Sequence, residues 1–172
     1  MTNTNLRRAA SVLALLAGGS GLLAGTTAAA ADNVDVYLQA VEFDKTMYDG
    51  TVVPMWGFAE CEANFLACSS DVGSPGPQIR ATAGQTVNVH VMNSLPVPVS
   101  IHAPGQLDGG DPTWFYDGQG RRRMQSLTTE VTAGSTGTYS FTNVKAGTFL
   151  YQSGTMPSIQ VPMGLFGAMV VD

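Results

Sequence analysis

Between residues 86 and 93 the chain reads TVNVHVMN, and the alternation is strict: Val87, Val89 and Val91 on one side, Asn88, His90 and Met92 on the other. That period of two predicts a strand with a valine face toward a core and His90 toward solvent. GTYSFTNV repeats the device with Tyr139 and Phe141, and GTFLYQS follows after a KAG turn. NVDVYLQAVEF, VVPMWGFA, PVSIHA, SLTTEV and FGAMVVD are further strand candidates, and helical signals are almost absent. Twenty glycines and nine prolines punctuate these short runs. Turns at that density fit one all-β antiparallel sandwich with a longer, looped N-terminal half.

The last run, LFGAMVV, is apolar on both faces. Placing Phe166, Ala168 and Val170 inward leaves Leu165, Met169 and Val171 outward, which predicts a strand buried on both sides or one covered by another protein chain or a second copy through the C-terminal strand.

Residues 1–31 have another character. Arg7 and Arg8 precede the short apolar run VLALLAGGSGLLAG and the small residues TTAAAAD, the pattern of a secretory signal peptide cleaved near Ala31. The expectation is a secreted or periplasmic protein with no membrane span, exported by a route that the paired arginines leave open between Sec and Tat. Residues 32–172 then hold six basic against thirteen acidic residues, a net charge of −7, so nucleic acid is not expected as a partner. Arg121–Arg123 are the only basic cluster and read as a solvated loop. Cys61 and Cys68 predict a disulfide in an oxidising compartment, one that stabilises by ~2.5 kcal/mol on the chain-entropy model.

PGPQIRATAGQTVNVHVMNSLPVPVSIHAPGQ (75–106), followed in order by TTEVTAGSTGTYSFTNVKAGTFLYQSG and GLFGAMVVD, resembles the N-terminal plastocyanin-like domain of multicopper oxidases. The resemblance covers residues 75–172 and implies a Greek-key cupredoxin sandwich, with residues 32–74 adding N-terminal strands and the disulfide loop. It also implies copper held by two His-x-His pairs. At the first pair stand His102-Ala103-Pro104, and at the second Gln152-Ser153-Gly154. Proline and glycine bring no side-chain donor, and the glutamine amide is a weak ligand beside imidazole, so only His102 matches. Two histidines per chain make six in a trimer, short of the roughly eight imidazoles that the resemblance implies for a trinuclear centre. The cysteine of a blue-copper site is also missing, because Cys61 and Cys68 lie upstream of the core strands.

Two readings stay open. One is a structural or partner-docking module with no cofactor and no catalytic residues, its contact near Met156 and the last strand. The other is copper, either as Cu(I) on His102, Met156 and Met163 or in an oxidase completed by a partner; against it, the eight methionines also serve as core filler. Hydrolysis has little support, since Ser153 in YQSGT lacks a nucleophile elbow. Asp108, Asp111 and Asp117 lie among glycines, as in a calcium loop, but without the EF-hand order they read as turn formers. Trp114, Phe115 and Tyr116 form an aromatic triplet in the same loop, with one ring expected to anchor it to the core.

Overall fold

The computed structural model describes residues 33–172; the expected signal peptide over 1–31 lies outside them. Among these residues, nine strands and one short α-helix, with a 3-10 turn at Ala63–Phe65 after β2, follow in order: β1 (Val34–Thr46), β2 (Val52–Cys61), β3 (Ile79–Ala81), β4 (Val87–Asn93), β5 (Thr113–Tyr116), β6 (Arg122–Ser126), β7 (Thr136–Phe141), β8 (Gly147–Gln152), α1 (Pro157–Met163) and β9 (Phe166–Val171). One sheet has the order β2-β1-β4-β7 and a second the order β3-β9-β8; β5 and β6 form a separate ribbon. The β1–β4 and β3–β9 contacts are parallel and the other strand pairs antiparallel. A parallel neighbour requires the chain to leave its sheet and return, which is how the two sheets come to be interleaved along the sequence.

Val87, Val89 and Val91 are fully buried, as their alternation predicts. They join Leu38, Ala40 and Phe58 from the first sheet and Ile79, Tyr151, Met169 and Val171 from the second in one core. His90 lies on the outer face but is not free there. Its Nε2 is 3.0 Å from Asp35 Oδ1, its Nδ1 is 2.9 Å from Thr138 Oγ1, and the ring stacks on Tyr37 at 4.4 Å. The histidine and Asn88, both bonded to Asp35, hold that carboxyl below its ordinary range. Cys61 and Cys68 are disulfide-bonded.

Several expectations are corrected. In β9 the inward residues are Leu165, Met169 and Val171, while Phe166, Ala168 and Val170 are half-buried on the outside, the reverse of the sequence assignment. The cause is Tyr151, a large buried ring whose register partner is Gly167; a Cβ at Gly167 would come within 2.4 Å of the Tyr151 ring and hydroxyl, so glycine must share the core face with tyrosine. β9 is also a central strand, paired on both sides, so its edges are closed to any further strand.

SLTTEV and PVSIHA do not form regular strands. Their backbones pair only at the isolated Val99–Val131 bridge; elsewhere the Ser126 hydroxyl bonds that of Ser100 and the Thr128 hydroxyl donates to the Ile101 carbonyl in place of a ladder. The helix α1 went unseen because seven residues are too few to show a period; Pro157 starts it and Gly164, at φ 120°, ends it. A Cβ at Gly164 would lie 2.2 Å from the carbonyl oxygen of Trp56. The aromatic triplet and Arg121–Arg123, read as loops, form the β5–β6 hairpin, and none of the three rings is anchored in the core.

Candidate functional site

The segment after β4 returns beside β8, and the pair that joins them is His102 and Gln152. The His102 N–H donates to the Gln152 carbonyl at 2.8 Å and the Gln152 N–H to the His102 carbonyl at 2.9 Å. Two residues that exchange both bonds sit side by side with side chains on one face, so the two segments that resemble ligand loops are adjacent. Gly154 is next to them; a Cβ there would meet Ser100 Oγ at 3.0 Å, Leu127 Cβ at 3.1 Å and His102 Cβ at 3.3 Å. The glycine is closely walled, and a larger side chain at that position would displace its neighbours. Pro104 is exposed.

His102 is half-buried and makes no side-chain hydrogen bond among the described residues. Desolvation lowers its pKa below the ordinary histidine value of 6.5, so the ring is neutral at neutral pH with a lone pair to offer. Met156 and Met163 mark the two ends of α1, Met156 as the exposed N-cap with φ 40° and Met163 as the last helical residue. Seven residues of helix place their Cα atoms about 10 Å apart along its axis. The structure thus brings His102 beside Gln152 and Gly154, and sets the two thioethers apart along the helix.

Behind His102 lies a buried network that the sequence reading missed. The hydroxyls of Ser100, Ser126 and Thr155 form a ring, with Ser100–Ser126 at 3.1 Å, Ser126–Thr155 at 3.0 Å and Thr155–Ser100 at 3.0 Å. The Gly154 N–H donates to Ser100 Oγ at 3.1 Å. Ser153 Oγ donates to Gln160 Oε1 at 2.6 Å, and Gln160 Nε2 donates to the Pro98 carbonyl at 2.8 Å. All five side chains are buried, and among the described residues no buried side-chain polar atom lacks a partner. The ring ties β6, the His102 segment and the Gly154 turn together with neutral donors and acceptors. Its sequence signal is faint, since VSIH, QSL and SGT read only as polar residues near strand ends. Ser153 is spent on this network, with no base beside it to make it a nucleophile.

The acidic loop is spent on turns. Asp117 Oδ1 accepts the N–H groups of Gln119 and Arg121, and Oδ2 accepts from the side chains of Arg121 and Arg123; these bonds, that from the Arg121 N–H first, lower its pKa. Asp108 accepts from Thr142. Among the described residues no group of three or more His, Cys, Asp or Glu is placed to hold a metal ion.

A multicopper oxidase family profile matches residues 62–172. The L-ascorbate oxidase of Cucurbita maxima is 37% identical over 126 residues, covering 73% of this chain and 20% of that protein. A copper-containing nitrite reductase of Neisseria meningitidis is 26% identical over 144 residues, 81% of this chain and 30% of the relative. Among solved structures, a multi-copper oxidase from Pseudomonas thermotolerans superposes with a TM-score of 0.62 at 25% identity, covering 83% of this chain and 30% of its own. The copper nitrite reductase from Nitrosomonas europaea gives 0.59 at 26% identity, with 82% and 42% covered. The chain spans less than half the length of each of these relatives.

Proposed function

Because the chain belongs to the multicopper oxidase family, we propose that it is a secreted or periplasmic cupredoxin-like domain that acts as a structural or partner-binding module, with no oxidase centre of its own. One observation carries the reading. At the four positions that resemble the family's paired histidines stand His102, Pro104, Gln152 and Gly154, and the space around Gly154 is already filled by Ser100, Leu127 and His102. One imidazole, two residues without donors and one amide do not fit a multi-ion copper cluster. The buried hydroxyl ring supports the same reading, because it fastens together the segments that a metal would otherwise join.

The test is copper analysis of the purified protein after exposure to Cu(I) and Cu(II), paired with oxygen uptake in the presence of a phenol. Less than one copper per chain and no oxygen consumption are expected. Several copper ions per chain with phenol-dependent oxygen uptake would overturn the reading.

A second reading, copper handling through a single site, is favoured by the unpartnered, neutral ring of His102. One copper per chain that is lost in His102→Ala would establish it, and Met156→Leu and Met163→Leu would show whether either thioether takes part.

A further inference from the structure

The β5–β6 ribbon carries a surface that packing within this chain does not use. Trp114, Phe115, Tyr116 and Met124 are 40%, 45%, 72% and 46% exposed. Trp114 pairs with Met124 and Tyr116 with Arg122, so these four side chains share one face of the ribbon. The Arg122 guanidinium lies 4.1 Å from the centre of the Trp114 ring. Arg121 and Arg123 both donate to Asp117, which leaves Arg122, held over the indole, as the cation on that face. Aromatic, methionine and arginine side chains are the types enriched where proteins bury surface against one another. A two-stranded ribbon bare on both faces is marginal in water, so a cover over this one stabilises it.

Charge identifies the cover. Of the six basic residues in 32–172, three lie on this ribbon; outside it, Lys45, Arg80 and Lys145 stand against twelve carboxylates. The rest of this protein's surface is therefore complementary to its own hairpin. Hairpin packed on hairpin would bring Arg122 toward Arg122, a like-charge contact that is disfavoured, so the hairpin is better matched by a different, acidic patch of the second copy. A receiving surface lies beside the disulfide loop. It is a cleft of about 340 Å³ whose lining includes the exposed Pro75 and the exposed carboxylates of Glu60 and Asp71, with no basic residue among its lining.

Resting on the partner-binding reading above, we infer that the partner is a second copy of this chain, whose Glu60–Asp71 cleft receives Trp114 and Arg122 of the first. An indole against the exposed Pro75 ring and a guanidinium near the Glu60 and Asp71 carboxylates pair apolar with apolar surface and cation with anion. A two-fold axis closes this contact reciprocally, each hairpin in the other copy's cleft, and another rotation closes it into a ring or extends it as a chain.

Sedimentation equilibrium of the purified protein tests this. At low ionic strength the chain is expected to self-associate reversibly, with affinity falling at least about tenfold on adding salt. Arg122→Glu and Glu60→Arg, both at exposed positions, should each weaken association at least about tenfold, and an equimolar mixture of the two should restore it, since each contact then joins opposite charges. A protein that stays monomeric at low salt, or whose association ignores both substitutions, overturns the inference. A monomer that also takes up no copper and consumes no oxygen removes only this partner and leaves the proposed domain function standing.

Discussion

His102 and Gln152 exchange both of their backbone hydrogen bonds, at 2.8 and 2.9 Å, across the gap between the segment after β4 and the end of β8. The pairing that would set two imidazoles side by side is intact, and only the side chain at position 152 differs. Gln152→His should therefore create a two-histidine site with His102 without rebuilding the backbone. Titration calorimetry with Cu(II) should show at least about tenfold tighter binding than the parent, from the exchange of an amide for an imidazole. Unchanged affinity would mean that the two side chains do not converge.

Stability should depend on the protonation of His102. Its folded pKa is lowered by desolvation relative to 6.5, so the folded state prefers the neutral ring and the unfolded state binds the proton more readily. The contribution is complete above the unfolded value and is lost as pH falls below about 6.5 toward the folded value. Thermal melts between pH 7.5 and 5, a range of about two units set around that value, should fall more steeply for the parent than for His102→Asn. Parallel curves would refute the assignment.

Removing one member of the hydroxyl ring should cost more than a surface hydroxyl. Ser100→Ala takes away the acceptor of the Gly154 N–H and leaves Ser126 and Thr155 each short of a partner in a buried site. Urea unfolding should show a loss of ~1–3 kcal/mol. Addition of copper should not restore it if the ring, and no metal, holds these segments.

Gly164→Ala should be among the most damaging single changes. The residue sits at φ 120° and its Cβ would come 2.2 Å from the Trp56 carbonyl oxygen, so either the end of α1 or β2 must move. A destabilisation of more than ~2 kcal/mol is expected from the strain and the clash together. A variant with an unchanged melting temperature would show that the α1–β9 corner is not fixed by this contact.

Calcium should leave the melting temperature unchanged within about 1 °C, because a ligand that does not bind the folded state adds nothing to it. Asp117 is already engaged by Arg121, Arg123 and Gln119, and Asp108 by Thr142. A calcium-dependent rise would reopen the loop as a cation site.

What was legible in the sequence followed from period and chemistry. The valines of β4, the rings of Tyr139 and Phe141, and the cysteine pair each declare themselves within a few residues, and the family resemblance supplied the order of the closing strands. Where the outcome depends on a distant partner, local reading failed. Nothing within LFGAMVV shows that Tyr151 requires Gly167 beside it, and so the face of β9 was reversed. Seven residues of α1 fall below the length at which a helical period becomes visible. The triad of buried hydroxyls joins residues up to 55 positions apart, and single serines carry no mark of that. The β5–β6 pairing was hidden because Trp114, Phe115 and Tyr116 are apolar in succession and bury nothing, which breaks the alternation by which strands are found.

β9 lies between β3 and β8, with its register to both fixed. The second layer of the sandwich therefore has no middle until residues 166–171 are delivered, and Ile79, Tyr151 and the hydrophobic interior they line must wait for them. β3 and β8 share no hydrogen-bonded edge of their own, so loosening this one strand would part the layer into two unattached pieces.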